Sequence, residues 1–251
     1  MVSVRRELRV EADIGEISHV AAREFVRQST NAIQTKGYCA VALSGGSTPQ
    51  NLYRLLAGDQ YRGQVRWSKV HLFWCDERCV PPDHYQSNYR MVRELLLDKI
   101  PVPPGNIYRI PAEYEDHNRA AEEYEQTLKT FFHLKNGELP RFDLVLLGMG
   151  DDGHTASLFP ETDTLEETRR LVAATYIKKL NGYRITLTVP VINQAAYIIF
   201  LISGESKSAV LKKVLEGELQ PGILPSQYIR PVEGRLLFLA DRAAAARLEN
   251  V

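Results

Sequence analysis

The chain has 251 residues, 44% hydrophobic and 25% charged, an ordinary globular composition with enough length to bury a large core. Its 31 basic and 31 acidic residues cancel without long blocks of either sign, which argues against a nucleic-acid or membrane-surface partner but leaves room for a small anionic ligand. The N-terminal MVSVRRELRVEADIG lacks the apolar core of a signal peptide, no apolar run approaches a membrane span, and three cysteines are too few for a disulfide framework, so a soluble, cytoplasmic protein is expected.

In chain order, strand-like apolar runs are expected at 38–43, 70–74, 142–147, 184–189, 197–202 and 236–239. Between them, 17–35, 88–99, 118–133 and 207–215 carry apolar residues at helical spacing, as in Val210, Leu211, Val214 and Leu215. Strands alternating with helices predict βαβ units, hence one α/β domain over 1–251 built on a mainly parallel sheet. The Pro-rich stretch 100–104 and the segment 218–225 read as surface loops, and no linker or repeat divides the chain.

Three loops at the expected carboxyl ends of strands carry chemistry, where open α/β sheets bind ligands. The first, SGGSTP at 44–49, lies between the buried run AVAL and the helix-like QNLYRLLA. Thr48 suits the N-cap and Pro49 the first helical position, while Gly45 and Gly46 let the backbone approach a ligand; free N–H groups there favour an anion. A tight, well-capped turn explains the same residues, and the lysine of a Walker sequence is missing. The second, CDERCVPPDHYQSNYR at 75–90, offers Asp76, Glu77 and Arg78 to orient hydroxyls or stabilise an oxyanion, against the plainer reading of a solvated ion-pair cluster. His71, Cys75, Cys79 and His84 prompt a metal reading, but extended backbone places His71 and Cys75 ~13 Å apart, so no metal is expected.

The third loop follows FDLVLLGMG. Here Asp151, Asp152 and His154 meet the end of a strand without polar alternation, and histidine suits proton transfer near neutrality. Gly148, Gly150 and Gly153 match G-x-G-x-x-G. Two aspartates would nevertheless face the pyrophosphate, Pro160 comes too soon for a helix, and the unit lies far from the first βα turn, so no dinucleotide cofactor is expected. Further on, Lys207 falls in the first turn of an expected helix, where a cation opposes the helix dipole by ~0.3–1 kcal/mol and a phosphate ligand would compensate. Arg184 opens RITLTV. Either residue alone is compatible with an ordinary surface cation.

Together, SGGSTP, DER, GMGDDGHTASLFP and RITLTVPVIN followed by SGESK strongly resemble the 6-phosphogluconolactonases of the pentose phosphate pathway, from about Leu43 to Ala244 and in the expected order. Looser forms of these loops are shared with glucosamine-6-phosphate deaminases and isomerases. The resemblance implies a three-layer α/β fold, a mainly parallel sheet with helices on both faces. The deaminases run from DGH into Asn-Glu-Pro, whereas this chain has Leu158, Phe159 and Pro160. Phe159 cannot transfer the protons of ring opening and isomerisation, which favours lactone hydrolysis.

What this implies is hydrolysis of 6-phospho-D-glucono-1,5-lactone, without metal or cofactor. Neutral His154 would activate the attacking water and return the proton to the departing ring oxygen, with Asp152 holding its tautomer. Arg78 and backbone N–H groups are the expected oxyanion donors and Asp76 the partner of a substrate hydroxyl. By the same resemblance, Gly45, Gly46, Ser47 and Thr48 would cradle the 6-phosphate, with Arg184 and Lys207 closing over it. A deaminase or aldose–ketose isomerase on this scaffold is the alternative, and a non-catalytic sugar-phosphate sensor the second. Such a sensor would need a DNA-reading module, and the roughly 35 residues before the first expected core strand carry no helix-turn-helix pattern or basic face, so it is not expected. The partner is thus a phosphorylated sugar lactone, with no nucleic acid or membrane, and the oligomeric state is left open between a monomer and a small homo-oligomer.

Overall fold

The computed structural model describes residues 5–249. Ten strands occur in the order β1 (Arg5–Glu11), β2 (Cys39–Leu43), β3 (Val70–Trp74), β4 (Asp76–Arg78), β5 (Ile107–Tyr108), β6 (Leu144–Leu147), β7 (Val172–Ile177), β8 (Gly182–Leu187), β9 (Tyr197–Ile202) and β10 (Arg235–Asp241). Between them run α1 (Ile14–Lys36), α2 (Ser47–Ala57), α3 (Asp59–Arg62), α4 (Asn88–Leu95), α5 (His117–Phe132), α6 (Val189–Asn193), α7 (Ser208–Glu216) and α8 (Arg242–Ala245). None of the described helices is long and apolar enough to cross a membrane.

Seven strands form one parallel sheet in the order β1-β10-β9-β6-β2-β3-β5. Every residue of β2, β6 and β9 is buried, which requires cover on both faces and explains the absence of polar alternation in these segments. The fold is therefore the expected α/β architecture. Four neighbouring strands, β9, β6, β2 and β3, release the four loops 203–207, 148–160, 44–46 and 75–78 from the same edge of the sheet. Cys75 fastens this edge: its N–H donates to Leu43 O at 2.8 Å, its carbonyl accepts from Leu187 N at 2.8 Å, and its thiol lies 3.5 Å from Leu146 O.

The run expected at 184–189 departs from the parallel pattern. As β8 it joins a separate three-stranded antiparallel sheet, β4-β8-β7, in which Arg78 pairs with Arg184 and Thr175 pairs with Arg184 on the other side. Four strands, β1, β4, β5 and β7, were not expected from the sequence. In β1 the charged residues Arg9 and Glu7 are exposed while Leu8 and Val10 are partly covered, the alternation of an edge strand rather than a buried run. Strands β4 and β7 edge the small sheet, and β5 is a two-residue edge of the large one. The helix expected over 88–99 ends at Leu95 and tightens into a 3-10 turn at Leu97–Lys99.

Candidate active site

The loop after β6 folds back on itself through Gly150 N–H to His154 O at 2.8 Å and Gly153 N–H to Gly150 O at 3.1 Å. This tight turn carries Asp152 under His154: Asp152 Oδ1 lies 2.5 Å from His154 Nδ1 and accepts the His154 backbone N–H at 3.2 Å. Lys179, from the turn between β7 and β8, donates to Asp152 Oδ2 at 2.9 Å. Burial alone would raise the Asp152 carboxyl, but the bonds from His154 and Lys179 outweigh it and hold its pKa well below the usual carboxylate range. An ionised Asp152 places the imidazole proton on Nδ1 and leaves the lone pair on Nε2, for which no protein hydrogen bond occurs among the described residues. Phe159 stacks on the other face of the ring, with centroids 3.9 Å apart and planes inclined by 18°.

Gly150 is required by close approach. A Cβ there would stand 2.0 Å from His154 Nδ1 and 2.8 Å from Asp152 Oδ1. The far side of the turn is anchored by Ser226, whose hydroxyl and N–H both donate to Gly153 O at 2.8 Å. No helix follows Gly153, so the three glycines do not open a dinucleotide-binding turn.

The loop after β2 ends in α2, with a boundary that corrects the sequence reading. Gly46, not Thr48, is the N-cap, and the helix begins at Ser47, so Pro49 is its third residue. Gly46 has φ 96°, a left-handed value that favours glycine, and it supplies no side chain to satisfy the helix donors. The N–H groups of Ser47 and Thr48 thus occupy the first turn of an eleven-residue helix, where intrahelical acceptors are lacking and an anion is favoured. Gly45 packs so closely on Asn88 that a Cβ would come 1.8 Å from Asn88 Oδ1. Tyr53, one and a half turns into α2, donates to Ser44 O at 2.7 Å and fixes the loop to the helix.

The loop after β3 divides its charges. Asp76 is buried, accepting from Ser157 Oγ at 2.6 Å and from Asn88 Nδ2 at 3.4 Å, so it ties the histidine loop to α4 beside the cavity. Glu77, offered by the sequence for substrate hydroxyls, instead caps α4: it accepts the N–H groups of Asn88 at 2.7 Å, Tyr89 at 2.8 Å and Arg78 at 2.8 Å, and the Ser87 hydroxyl at 3.2 Å. Burial pushes the Glu77 carboxyl up, with these N–H groups opposing the rise. Arg78 is held by a bond to Gln86 O at 2.5 Å.

These loops enclose a cavity of about 210 Å³. It is bordered by Gly45, Gly46, Ser47 and Thr48 on one side, His154 and Gly150 on another, and Asp76, Arg78 and Lys207 between. Of the ten site residues expected from the sequence, eight border this cavity, and Asp152 and Arg184 do not. Asp152 stands behind His154. Arg184 does not border the cavity; it lies opposite Arg78 across the β4–β8 ladder, where burial and then the charge of Arg78 lower its pKa. Lys207 is the residue before α7 rather than within it, and its ammonium is paired with the exposed carboxylate of Asp151.

Asn88 and Ser44 border the cavity and were missed. Asn88 Oδ1 and Ser44 Oγ are buried with no protein partner. The sequence signal for Asn88 was its place in the loop that carries Asp76, read there only as a helix start. Lys179 was missed because β7, and so the β7–β8 hairpin that carries it, was not expected from the sequence. Among the described residues, no group of three or more His, Cys, Asp or Glu side chains is placed to hold a metal ion. His71 lies 3.2 Å from the Tyr108 hydroxyl among aromatic rings, and Cys39, Cys75 and Cys79 are free thiols that burial raises.

Residues 12–238 match the family model described as glucosamine-6-phosphate isomerases/6-phosphogluconolactonase. A 6-phosphogluconolactonase of Synechocystis sp. is 43% identical over 219 residues, spanning 87% of this chain and 88% of that protein. One from Nostoc sp. is 44% identical over 217 residues, spanning 86% and 88%. The solved 6-phosphogluconolactonase of Trypanosoma cruzi superposes with a TM-score of 0.86 at 29% identity, covering 99% of this chain and 98% of the other. A monomeric glucosamine-6-phosphate deaminase shares the fold, with a TM-score of 0.80 at 22% identity over 96% of this chain and 99% of that one. The chain belongs to the glucosamine-6-phosphate isomerase/6-phosphogluconolactonase family.

Proposed function

We propose that this member of the family is a 6-phosphogluconolactonase, hydrolysing 6-phospho-D-glucono-1,5-lactone to 6-phospho-D-gluconate by a water that His154 activates. The observation that carries the reading is the hydrogen bond between Asp152 and His154 Nδ1, which leaves Nε2 as a base on the cavity wall. Nε2 takes a proton from water as the water oxygen bonds to C1 of the lactone. The C1–O5 bond then breaks and the imidazolium returns that proton to O5, so substrate and water are fully accounted for in the open-chain acid. Asp152 stays ionised and stabilises the imidazolium. Arg78 and backbone N–H groups of the loops serve the negative charge that develops on the carbonyl oxygen, and Asp76 positions a sugar hydroxyl.

The 6-phosphate takes the N–H groups of Ser47 and Thr48 and the Lys207 ammonium, with Gly45 and Gly46 allowing close approach. Arg184, paired across the ladder with Arg78, adds a second fixed positive charge next to the cavity wall. Local cations of this kind reconcile a chain of zero net charge with an anionic substrate. Three free thiols agree with a reducing, cytoplasmic setting. Phe159 favours hydrolysis over deamination, since a phenyl ring against His154 carries no proton. The deciding assay supplies the purified chain with freshly generated lactone and, separately, with glucosamine 6-phosphate. Proton release above the spontaneous rate with no ammonia from the amino sugar is expected; ammonia release with lactone decay at the blank rate would overturn the proposal.

A further inference from the structure

At the opposite end of the sheet from the His154 cavity, near the start of β1 and β10, lies a second hollow of about 280 Å³. Its walls are apolar, formed by Val214, Leu219, Ile229, Leu236 and Phe238. Among the described residues, the charged residues on its lining are two arginines, Arg6 from β1 and Arg230 from the segment before β10. Neither has a carboxylate partner among the described residues; their bonds go to carbonyls, Arg6 to Leu215 O at 2.7 Å and Arg230 Nε to Gln227 O at 3.1 Å. Arg6 also lies over the Phe238 ring, 5.8 Å from its centroid. The two arginines line the same hollow, and burial and then the charge of Arg230 lower the pKa of Arg6.

Two like charges without a counter-ion over an apolar floor are a cost that one kind of ligand removes. We propose that this hollow is a second binding site, for a small organic anion that carries a phosphate or carboxylate group on an apolar body, the anionic group lying between Arg6 and Arg230 and the apolar body on Phe238 and Leu236. Guanidinium groups match the geometry of such oxyanions, and the apolar walls match a ring or short chain. The sugar phosphate of the first cavity is too polar for these walls. Ser226 lines the hollow and also donates to Gly153 O in the turn of the histidine loop.

The test uses 4-bromophenyl phosphate as probe, with 4-bromobenzyl alcohol as its uncharged counterpart. Crystals of the full chain soaked in each are examined for anomalous bromine signal. The phosphate is expected to place bromine over Phe238 and the alcohol to leave that position empty. In solution, titration calorimetry of the same phosphate is expected to show about tenfold weaker binding at this site in Arg230→Gln, whose lactone hydrolysis stays at the wild-type rate and shows that it folds. Binding that Arg230→Gln leaves unchanged, bromine found only in the His154 cavity, or equal bromine signal from the alcohol would each overturn the proposal.

Discussion

Replacing Gly150 by alanine adds one methyl group to the point where the histidine loop is tightest. The new Cβ would stand 2.0 Å from His154 Nδ1, 2.1 Å from its Cε1 and 2.8 Å from Asp152 Oδ1. Ordinary contact needs about 3.5 Å, so the imidazole must retreat by roughly 1.5 Å, and a misplacement of about 1 Å near reacting groups costs on the order of a hundredfold. The backbone has no comparable reason to yield. Gly150 does not occupy the left-handed region, and its N–H and carbonyl bonds to His154 and Gly153 run through main-chain atoms. Alanine also removes unfolded-state freedom worth about 0.4–1 kcal/mol, which offsets part of the local strain. We therefore expect kcat/KM for the lactone to fall about a hundredfold while Tm stays within about 4 °C of wild type. Proton release from fresh lactone, corrected for the blank, and a thermal melt measure both. A variant with wild-type kcat/KM would show that the Asp152–His154 arrangement is not the one that reacts.

Lys207→Met should raise KM about tenfold or more with a smaller change in kcat, because a charge-assisted bond to phosphate is worth about 1.5–3 kcal/mol; an unchanged KM would remove Lys207 from the phosphate site. Glu77→Ala should destabilise the chain by about 3 kcal/mol in urea, since the Asn88 and Tyr89 donors at the start of α4 lose their acceptor; a loss below about 1 kcal/mol would refute the cap. Lys179→Met should lower kcat several-fold and leave KM near wild type, as Asp152 keeps His154 but loses the partner of its other oxygen; a change confined to KM would place Lys179 on the substrate instead. Asp152 has a folded pKa depressed below its unfolded value of about 3.9, so its stabilisation is complete above that value and lost as pH falls through the folded one. The gap in urea midpoint between wild type and Asp152→Asn should accordingly narrow below about pH 4, and a gap that did not change with pH would contradict the assignment.

The buried strands were legible because they lack polar alternation: β3 and β9 occupy the spans their sequences predict, and β2 and β6 lie within them. The edge strands were not, since β1 hides two half-covered residues among charges and β7 pairs on one side only. RITLTV declared a strand but not its sheet, because the antiparallel partner DER is three residues long and reads as a charged turn. Within the site, His154, Asp152 and the SGGST loop stood out by residue type at strand ends. The different tasks of Asp76 and Glu77 did not: adjacent residues on a strand point to opposite sides, and only the packing of α4 decides which one faces the cavity. Asn88 was hidden by its good fit to a helix start, and Lys179 by its distance of 27 residues from the carboxylate that it holds.

The proposed mechanism turns on His154 as the base that activates water. The decisive measurement is the rate of proton release from freshly generated 6-phosphoglucono-δ-lactone with wild type, His154→Ala and a blank, at saturating substrate and with EDTA throughout. The spontaneous reaction sets a floor, so enzyme must be added until wild-type decay clearly exceeds it. Loss of a general base should reduce kcat by about 10²–10⁴, bringing His154→Ala to the blank rate while its melt stays cooperative. A folded His154→Ala that hydrolyses the lactone at the wild-type rate would contradict the account.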